Sequence, residues 1–374
     1  MRKLIAPLLA LLMLALVAPA AAAEAVERRA SVPWDEVGEG WTLATVDRGR
    51  MVQGELRLKA RSLELVSPEG TRYSLYATTR QPLRHHVDPS NFTLVGWDPE
   101  TRVALLQRYV SLSRTQAIRV DLRSGASQSL ALPKRATSAG LRPDGTGVLT
   151  QTIGGNVLSI GWDGTRTLVG RGGTSWSPIT TPDGNAAVVA GTGHLTVMPL
   201  DGSTPSELAT PGECRPLRWY DDTQLLASCF SRKGSQLVTV GLDGSITPRA
   251  GLRRTSSPGF RGPSWDDTDV REVGGVAYLE GNGPCGGSFL TRENARGEQR
   301  MVRVPGSTGG ISLVDARDDR LVIAHTANCD AGPPRAVLST FDPVTLDEDA
   351  LVTLGRREHW GHVLAWDEPR PWSW

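Results

Sequence analysis

A chain of 374 residues with 41 Lys and Arg against 40 Asp and Glu has no surplus charge with which to hold nucleic acid non-specifically. Its 39% hydrophobic and 22% charged residues exclude a disordered chain, and 41 glycines and 25 prolines without a Gly-X-Y period exclude collagen while promising many turns. The length suits two or three ordinary domains or one large all-β unit, and long amphipathic helical patterns are hard to find.

The first residues address the compartment. Arg2 and Lys3 form a short positive region, Leu8 to Val17 is apolar and uncharged, and Ala21-Ala22-Ala23 precedes Glu24. This predicts a secretory signal peptide over residues 1–23, cleaved after Ala23 or Ala25. An uncleaved anchor is the competing reading, because Leu4 to Ala23 nearly reaches a membrane-spanning length. No cysteine lies near the cleavage point for lipid attachment, and nothing later is apolar enough to cross a bilayer. The mature chain is expected in the periplasm or cell envelope, or secreted. Residues 24–40 read as a short linker and 41–374 as a single domain.

Two kinds of turn then alternate along the chain. The first kind is acidic and sits inside an apolar hairpin: Pro99-Glu100, Pro143-Asp144-Gly145, Pro182-Asp183-Gly184, Asp221-Asp222, a blurred copy at Gly274-Gly275, Asp318-Asp319 and finally Asp367-Glu368. The second kind is Ser67-Pro68-Glu69-Gly70, Ser124-Gly125, Asp163-Gly164, Asp201-Gly202, Asp243-Gly244, Arg296-Gly297 and Pro343-Val344-Thr345. Leu158, Ile160 and Trp162 alternate into Asp163, and Val238, Val240 and Leu242 alternate into Asp243 in the same register. Asp-Gly between alternating runs is a hairpin signal, because glycine tolerates the positive φ that such turns need.

Each unit is therefore two hairpins, or four strands. A small sheet cannot bury both faces alone, and stacking sheets radially buries them against one another. The expected fold is all-β, a seven-bladed β-propeller. The two turn series are offset, so the N-terminal segment from Trp41 to Tyr76 supplies most of one blade and His362 to Trp366 supplies its missing strand. Trp360, Trp366, Trp372 and Trp374 are placed to lock that closure by burial.

At these repeats the chain resembles the TolB-like group of WD40-like β-propellers, whose repeat is built around an x-Pro-Asp-Gly turn. The matching segments are Arg142 to Gly145 and Thr181 to Gly184, with Ser175 to Pro178 resembling the stretch before the turn. The other copies are degenerate. Gly-His at 193–194 and 361–362 and the scattered Trp-Asp pairs depart from true WD40 proteins. The resemblance implies an envelope interaction platform, by analogy of fold.

Four cysteines in an exported chain favour disulfides. Cys214 and Cys229 flank the Asp221-Asp222 turn symmetrically, which places them opposite each other in a hairpin. Cys285 and Cys329 lie in glycine-containing loops of adjacent blades and are paired as a staple between blades. No C-x-x-C spacing supports zinc.

Searches for catalytic signatures find no sialidase box, no G-x-S-x-G elbow, no H-E-x-x-H and no P-loop. No catalytic residue, cofactor or metal site is predicted. Asp266, Asp267 and Asp269 offer oxygens for calcium but read as a solvated loop. His85-His86 reads as surface decoration. The connections between blades and the second-to-third-strand loops should share one rim, and its cations Arg80, His85, His86, Arg253, Arg254, Arg356 and Arg357 suggest a shallow funnel for an anionic peptide end or polysaccharide. The reading is a monomeric binding scaffold whose partner is an envelope or extracellular protein, peptide or polysaccharide. A glycosidase or lyase using carboxylates in the central channel is the alternative.

Overall fold

The computed structural model describes residues 26–52, 55–79, 92–111, 114–142, 144–173, 178–253, 267–282, 288–294, 299–307, 310–325 and 335–366. The chain opens with β1 (Val26–Arg28), β2 (Thr42–Val52), β3 (Glu55–Val66) and β4 (Arg72–Thr79). Blade 2 is β5 (Phe92–Asp98), β6 (Val103–Ser111), β7 (Arg114–Asp121) and β8 (Ser127–Ala131). Blade 3 is β9 (Ala136–Leu141), β10 (Gly147–Thr152), β11 (Asn156–Gly161) and β12 (Arg166–Arg171). Blade 4 is β13 (Ile179–Thr180), β14 (Ala186–Ala190), β15 (His194–Pro199) and β16 (Ser206–Ala209). Blade 5 is β17 (Glu213–Trp219), β18 (Gln224–Ser231), β19 (Gly234–Gly241) and β20 (Ile246–Pro248). Blade 6 is β21 (Asp267–Val273), β22 (Val276–Asn282), β23 (Ser288–Glu293) and β24 (Gln299–Met301). Blade 7 is β25 (Ile311–Arg317), β26 (Arg320–His325), β27 (Val337–Phe341) and β28 (Glu348–Thr353). The last strand, β29 (Glu358–Ala365), returns to pair antiparallel with β2, so blade 1 has the order β29-β2-β3-β4-β1. The fold is a seven-bladed propeller closed by both ends of the chain, as the offset of the turns predicts. Beyond that expectation, β1 adds a parallel edge strand to β4.

Turn chemistry sets the hairpins. Gly164, Gly202 and Gly244 take φ of +89°, +84° and +84°. Each preceding aspartate accepts the amide two residues on: Asp163 from Thr165 at 2.9 Å, Asp201 from Ser203 at 2.8 Å, and Asp243 from Ser245 at 2.9 Å. The aspartate fills the turn's orphan donor while the glycine accepts the left-handed backbone. In blade 7 the same geometry falls on Asp318 and Asp319, at φ +51° and +56°. Two non-glycine residues in that region are strained. Replacing Asp318-Asp319 by Asn-Gly is expected to raise stability by about 1 kcal/mol, read as a higher thermal midpoint.

Every seam between neighbouring blades has its own apolar layer. In blade 5, Cys214, Leu225, Ala227, Val238 and Val240 pack with Ile179, Val188 and Leu195 of blade 4. The alternate residues Leu217, Leu226 and Leu237 pack with Val270 and Leu279 of blade 6. This is the two-residue period of a strand buried on both faces. The seam between blades 3 and 4 is thinner, centred on Val157, Val189 and Met198. Cys214 and Cys229 are directly opposite on β17 and β18 and form the predicted disulfide inside the seam with blade 4. Cys285 and Cys329 lie outside the described residues, as do Asp367-Glu368, Arg296-Gly297, Trp372 and Trp374.

The closure of blade 1 is ionic as well as apolar. Trp360 and Trp366 are buried at the ends of β29. Arg72, with a fully buried side chain, meets Glu64 at 2.8 Å and Glu358 at 3.1 Å. Arg48 joins the same two carboxylates at 2.8 Å and 2.9 Å. Four charges on β2, β3, β4 and β29 thus bind the C-terminal strand to three N-terminal ones. His362, buried on β29, donates its backbone amide to Thr45 Oγ1 at 2.8 Å.

Candidate functional site

The first strand of each blade lies innermost, and the residue three places before each first turn sits where that strand meets the next blade. In blades 2, 3 and 4 this residue is Gly96, Gly140 and Ile179. In blades 5, 6 and 7 it is Arg218, Arg271 and Asp315. Two of the first three are glycines, and the last three all carry charge. A cavity of about 420 Å³ opens beside the first three, lined by Val95, Gly96, Trp97, Gly140, Leu141, Arg142, Pro178, Ile179, Thr181, Pro182 and Trp219, with Asp98 and Glu100 at its edge. It lies on the face that carries the first and second turns, the turn face.

Its walls are fixed. Trp97 donates its indole N–H to the Trp366 carbonyl at 2.9 Å, and Trp219 donates to the Thr180 carbonyl at 2.6 Å. Each bond ties an inner strand to the preceding blade and holds the ring in place beside the cavity. Arg142 donates to Ser159 Oγ at 3.2 Å and to Asp144 at 2.6 Å, which aligns its guanidinium at the wall. A Cβ on Gly140 would stand 3.1 Å from the Pro178 carbonyl oxygen, so this position has no room to spare. Asp98 uses both oxygens on its own turn, accepting from the Glu100 amide and the Thr101 hydroxyl. Burial raises the Asp144 carboxyl, but the Thr146 amide and hydroxyl and the Arg142 charge outweigh it and hold the group below the usual carboxylate range.

The arginines at this position in blades 5 and 6 each bond to the next blade. Arg218 donates to Asp269 at 3.0 Å and to the Val270 carbonyl at 3.1 Å, and Arg271 donates to the Val314 carbonyl at 3.1 Å. Glu280, opposite Asp269 across β21 and β22, is pushed up to about 8 by its desolvated setting and the Asp269 charge. Asp267 and Asp269 are therefore not the solvated loop that their sequence suggests. Both are buried in β21, and Asp267 pairs with Arg253 at 3.0 Å. Asp266 lies outside the described residues.

The predicted cationic rim is divided. Arg253 is held by Asp267 and, at 2.5 Å, by Glu293. Arg356 and Arg357 are exposed between β28 and β29. Arg80, His85, His86 and Arg254 lie outside the described residues. Arg253, Arg356 and Arg357 belong to the face that carries the connections between blades, opposite the cavity. Sequence reasoning missed the cavity itself. Its signal was the run Gly96, Gly140 and Ile179 against Arg218, Arg271 and Asp315, visible only once the repeats are aligned on their turns.

No protein-family model matches this chain, and no curated protein matches it in sequence. Solved structures do match. The β-propeller domain of the Trilobed protease from Pyrococcus furiosus, described as having an open velcro topology, is similar at 10% identity over 85% of this chain and 94% of that one, with a TM-score of 0.51. Dihydro-heme d1 dehydrogenase NirN is similar at 13% identity over 88% and 76%, with a TM-score of 0.50. TolB from Acinetobacter baumannii is similar at 12% identity over 90% and 87%, with a TM-score of 0.38. The likeness is one of fold. A fold does not fix a function, so the role rests on the residues of this chain. Among the described residues no helix is long and apolar enough to cross a membrane.

Proposed function

We propose that this protein is an exported binding scaffold of the cell envelope or the medium, which receives a peptide or protein segment at the turn-face cavity. The observation that carries the reading is the cavity's construction: two indoles and three prolines around inner strands that carry Gly96 and Gly140, with its arginine already oriented. Rigid aromatic and proline walls suit an extended apolar segment, and a fixed cation gives it direction. Export is supported by the Cys214–Cys229 disulfide and by the charged, apolar and alanine-rich order of residues 1–23. The resemblance of the Pro-Asp-Gly turns to TolB-like repeats supports a binding role by analogy. The glycosidase or lyase alternative finds less support here, because Asp98 is committed to its own turn beside Glu100.

Display selection of random peptides on the purified protein tests this. Selected peptides should bind Gly140→Leu and Trp219→Ala variants at least about tenfold more weakly. Failure to select any peptide, or equal binding to both variants, overturns the proposal.

A further inference from the structure

The face opposite the cavity repeats a second composition that the binding cavity does not use. Lys134 and Arg135 are exposed on the connection from blade 2 to blade 3. Beside them, Ile153 donates its amide to the Arg135 carbonyl at 3.0 Å, and its side chain is 62% exposed. Arg232 and Lys233 are exposed on the β18–β19 loop of blade 5. Next to that loop, Ser235 and Arg253 exchange both backbone hydrogen bonds, at 2.9 Å and 2.8 Å, which brings Leu252, 41% exposed, alongside.

Each group is a pair of cations beside one bare aliphatic side chain, and both groups lie on the face that carries the connections and the second-to-third-strand loops. Among the described residues, none of these four cations is engaged with an acid. Arg135 is also held at φ +64°. Single exposed aliphatics mean little. Two of them, each placed beside two cations on the same face, match a particular surface. An anionic polysaccharide would use the cations and leave Ile153 and Leu252 without a role. A bilayer uses both, with phosphate headgroups meeting the arginines and lysines and the aliphatics entering the acyl boundary.

We infer that this face docks peripherally on an anionic phospholipid membrane. The disc lies flat, its acidic turns and the cavity face away from the lipid, and the chain is not inserted. Docking in this pose keeps the cavity open to a ligand from the aqueous side.

Co-sedimentation of the full chain with lipid vesicles tests the inference. The wild-type protein should bind phosphatidylcholine vesicles containing about one-third phosphatidylglycerol, and release in about 0.5 M salt, where screening is strong. It should bind pure phosphatidylcholine vesicles far more weakly. Lys134→Glu, Arg135→Glu, Arg232→Glu and Lys233→Glu together should weaken binding by about several hundredfold, at roughly fivefold per cation. Ile153→Ser and Leu252→Ser together should weaken it at constant charge. Arg166→Glu, exposed on the turn face, should leave it unchanged. The salt arm needs no variant, so a misfolded mutant does not remove the test. Equal binding to neutral vesicles overturns the inference, since an apolar N-terminal segment would then account for it. Binding unaffected by the link-face variants overturns it too. So does capture by a soluble anionic polysaccharide with no vesicle binding. Peptide selection at the cavity reads a different face, so either result can fail without the other.

Discussion

Replacing Arg72 by methionine is expected to cost about 3–5 kcal/mol of unfolding free energy, because it leaves Glu64 as a buried and under-compensated carboxylate. Arg72 and Glu64 both have fully buried side chains, and Arg72 also supplies the hydrogen bond that reaches Glu358 on the C-terminal strand. Desolvation alone would lower the Arg72 pKa, and the Glu64 and Glu358 charges outweigh it and raise it. The double variant Arg72→Met with Glu64→Met should recover much of the loss, since a paired apolar replacement removes the stranded charge. Denaturant midpoints of the two variants check this. Equal midpoints for wild type and Arg72→Met would mean that blade 1 closes without the ionic cluster.

The same closure should be acid-labile, and the sign follows from two groups on β29. Burial would raise the Glu358 carboxyl, but the Arg72 hydrogen bond and charge, the Gly355 amide and Arg48 hold it below the usual range. A lowered carboxylate pKa adds stability above the unfolded value of roughly 4.3, and that stability is lost as pH falls through the folded value. Burial, with the Arg61 charge, drives His362 down to about 3. The unfolded chain therefore takes up a proton below roughly pH 6.5 that the folded chain refuses, and stability falls further as pH drops toward 3. Both effects act in the same direction on the same strand. His362→Gln should flatten the upper part of the decline, between roughly pH 6.5 and 4.5, and leave the lower part in place.

Removing the disulfide by Cys214→Ala with Cys229→Ala is expected to cost about 3 kcal/mol, the loop-closure value for a loop of this size. The bridge closes a sequence separation of 15 residues. Alanine keeps the blade 4 seam apolar, so the loss reads the crosslink together with a small loss of packing. Wild-type protein unfolded in the presence of reductant should show nearly the same midpoint as the double variant. No response of the wild type to reductant would mean that the bond contributes nothing to stability.

What could be read from the sequence was what is local. Aspartate followed by glycine makes its turn with its own carboxylate and its own backbone, so Asp163-Gly164 and Asp243-Gly244 announce hairpins unaided. The Cys214–Cys229 pair was legible for the same reason, being symmetric about one turn. β1 was not legible, because three residues carry no period and its partner β4 starts at Arg72. Asp267 and Asp269 misled because their burial depends on arginines elsewhere: Arg218 is 51 residues from Asp269 in sequence, in another blade. A buried ion pair has no local signature in either partner. The cavity was hidden similarly, since its lining comes from four blades and no single stretch of sequence contains it.

The pairing of β2 with β29 also constrains how the molecule is made. Thr42 is bonded to a strand that ends at Ala365, so a chain synthesised from its N-terminus keeps the axial edge of its first sheet bare until residues 358–365 have been made. Six blades can form in sequence by short-range contacts, while blade 1 waits for β29. Completion of the ring is thus a long-range event, and a chain interrupted before Glu358 leaves the ring open.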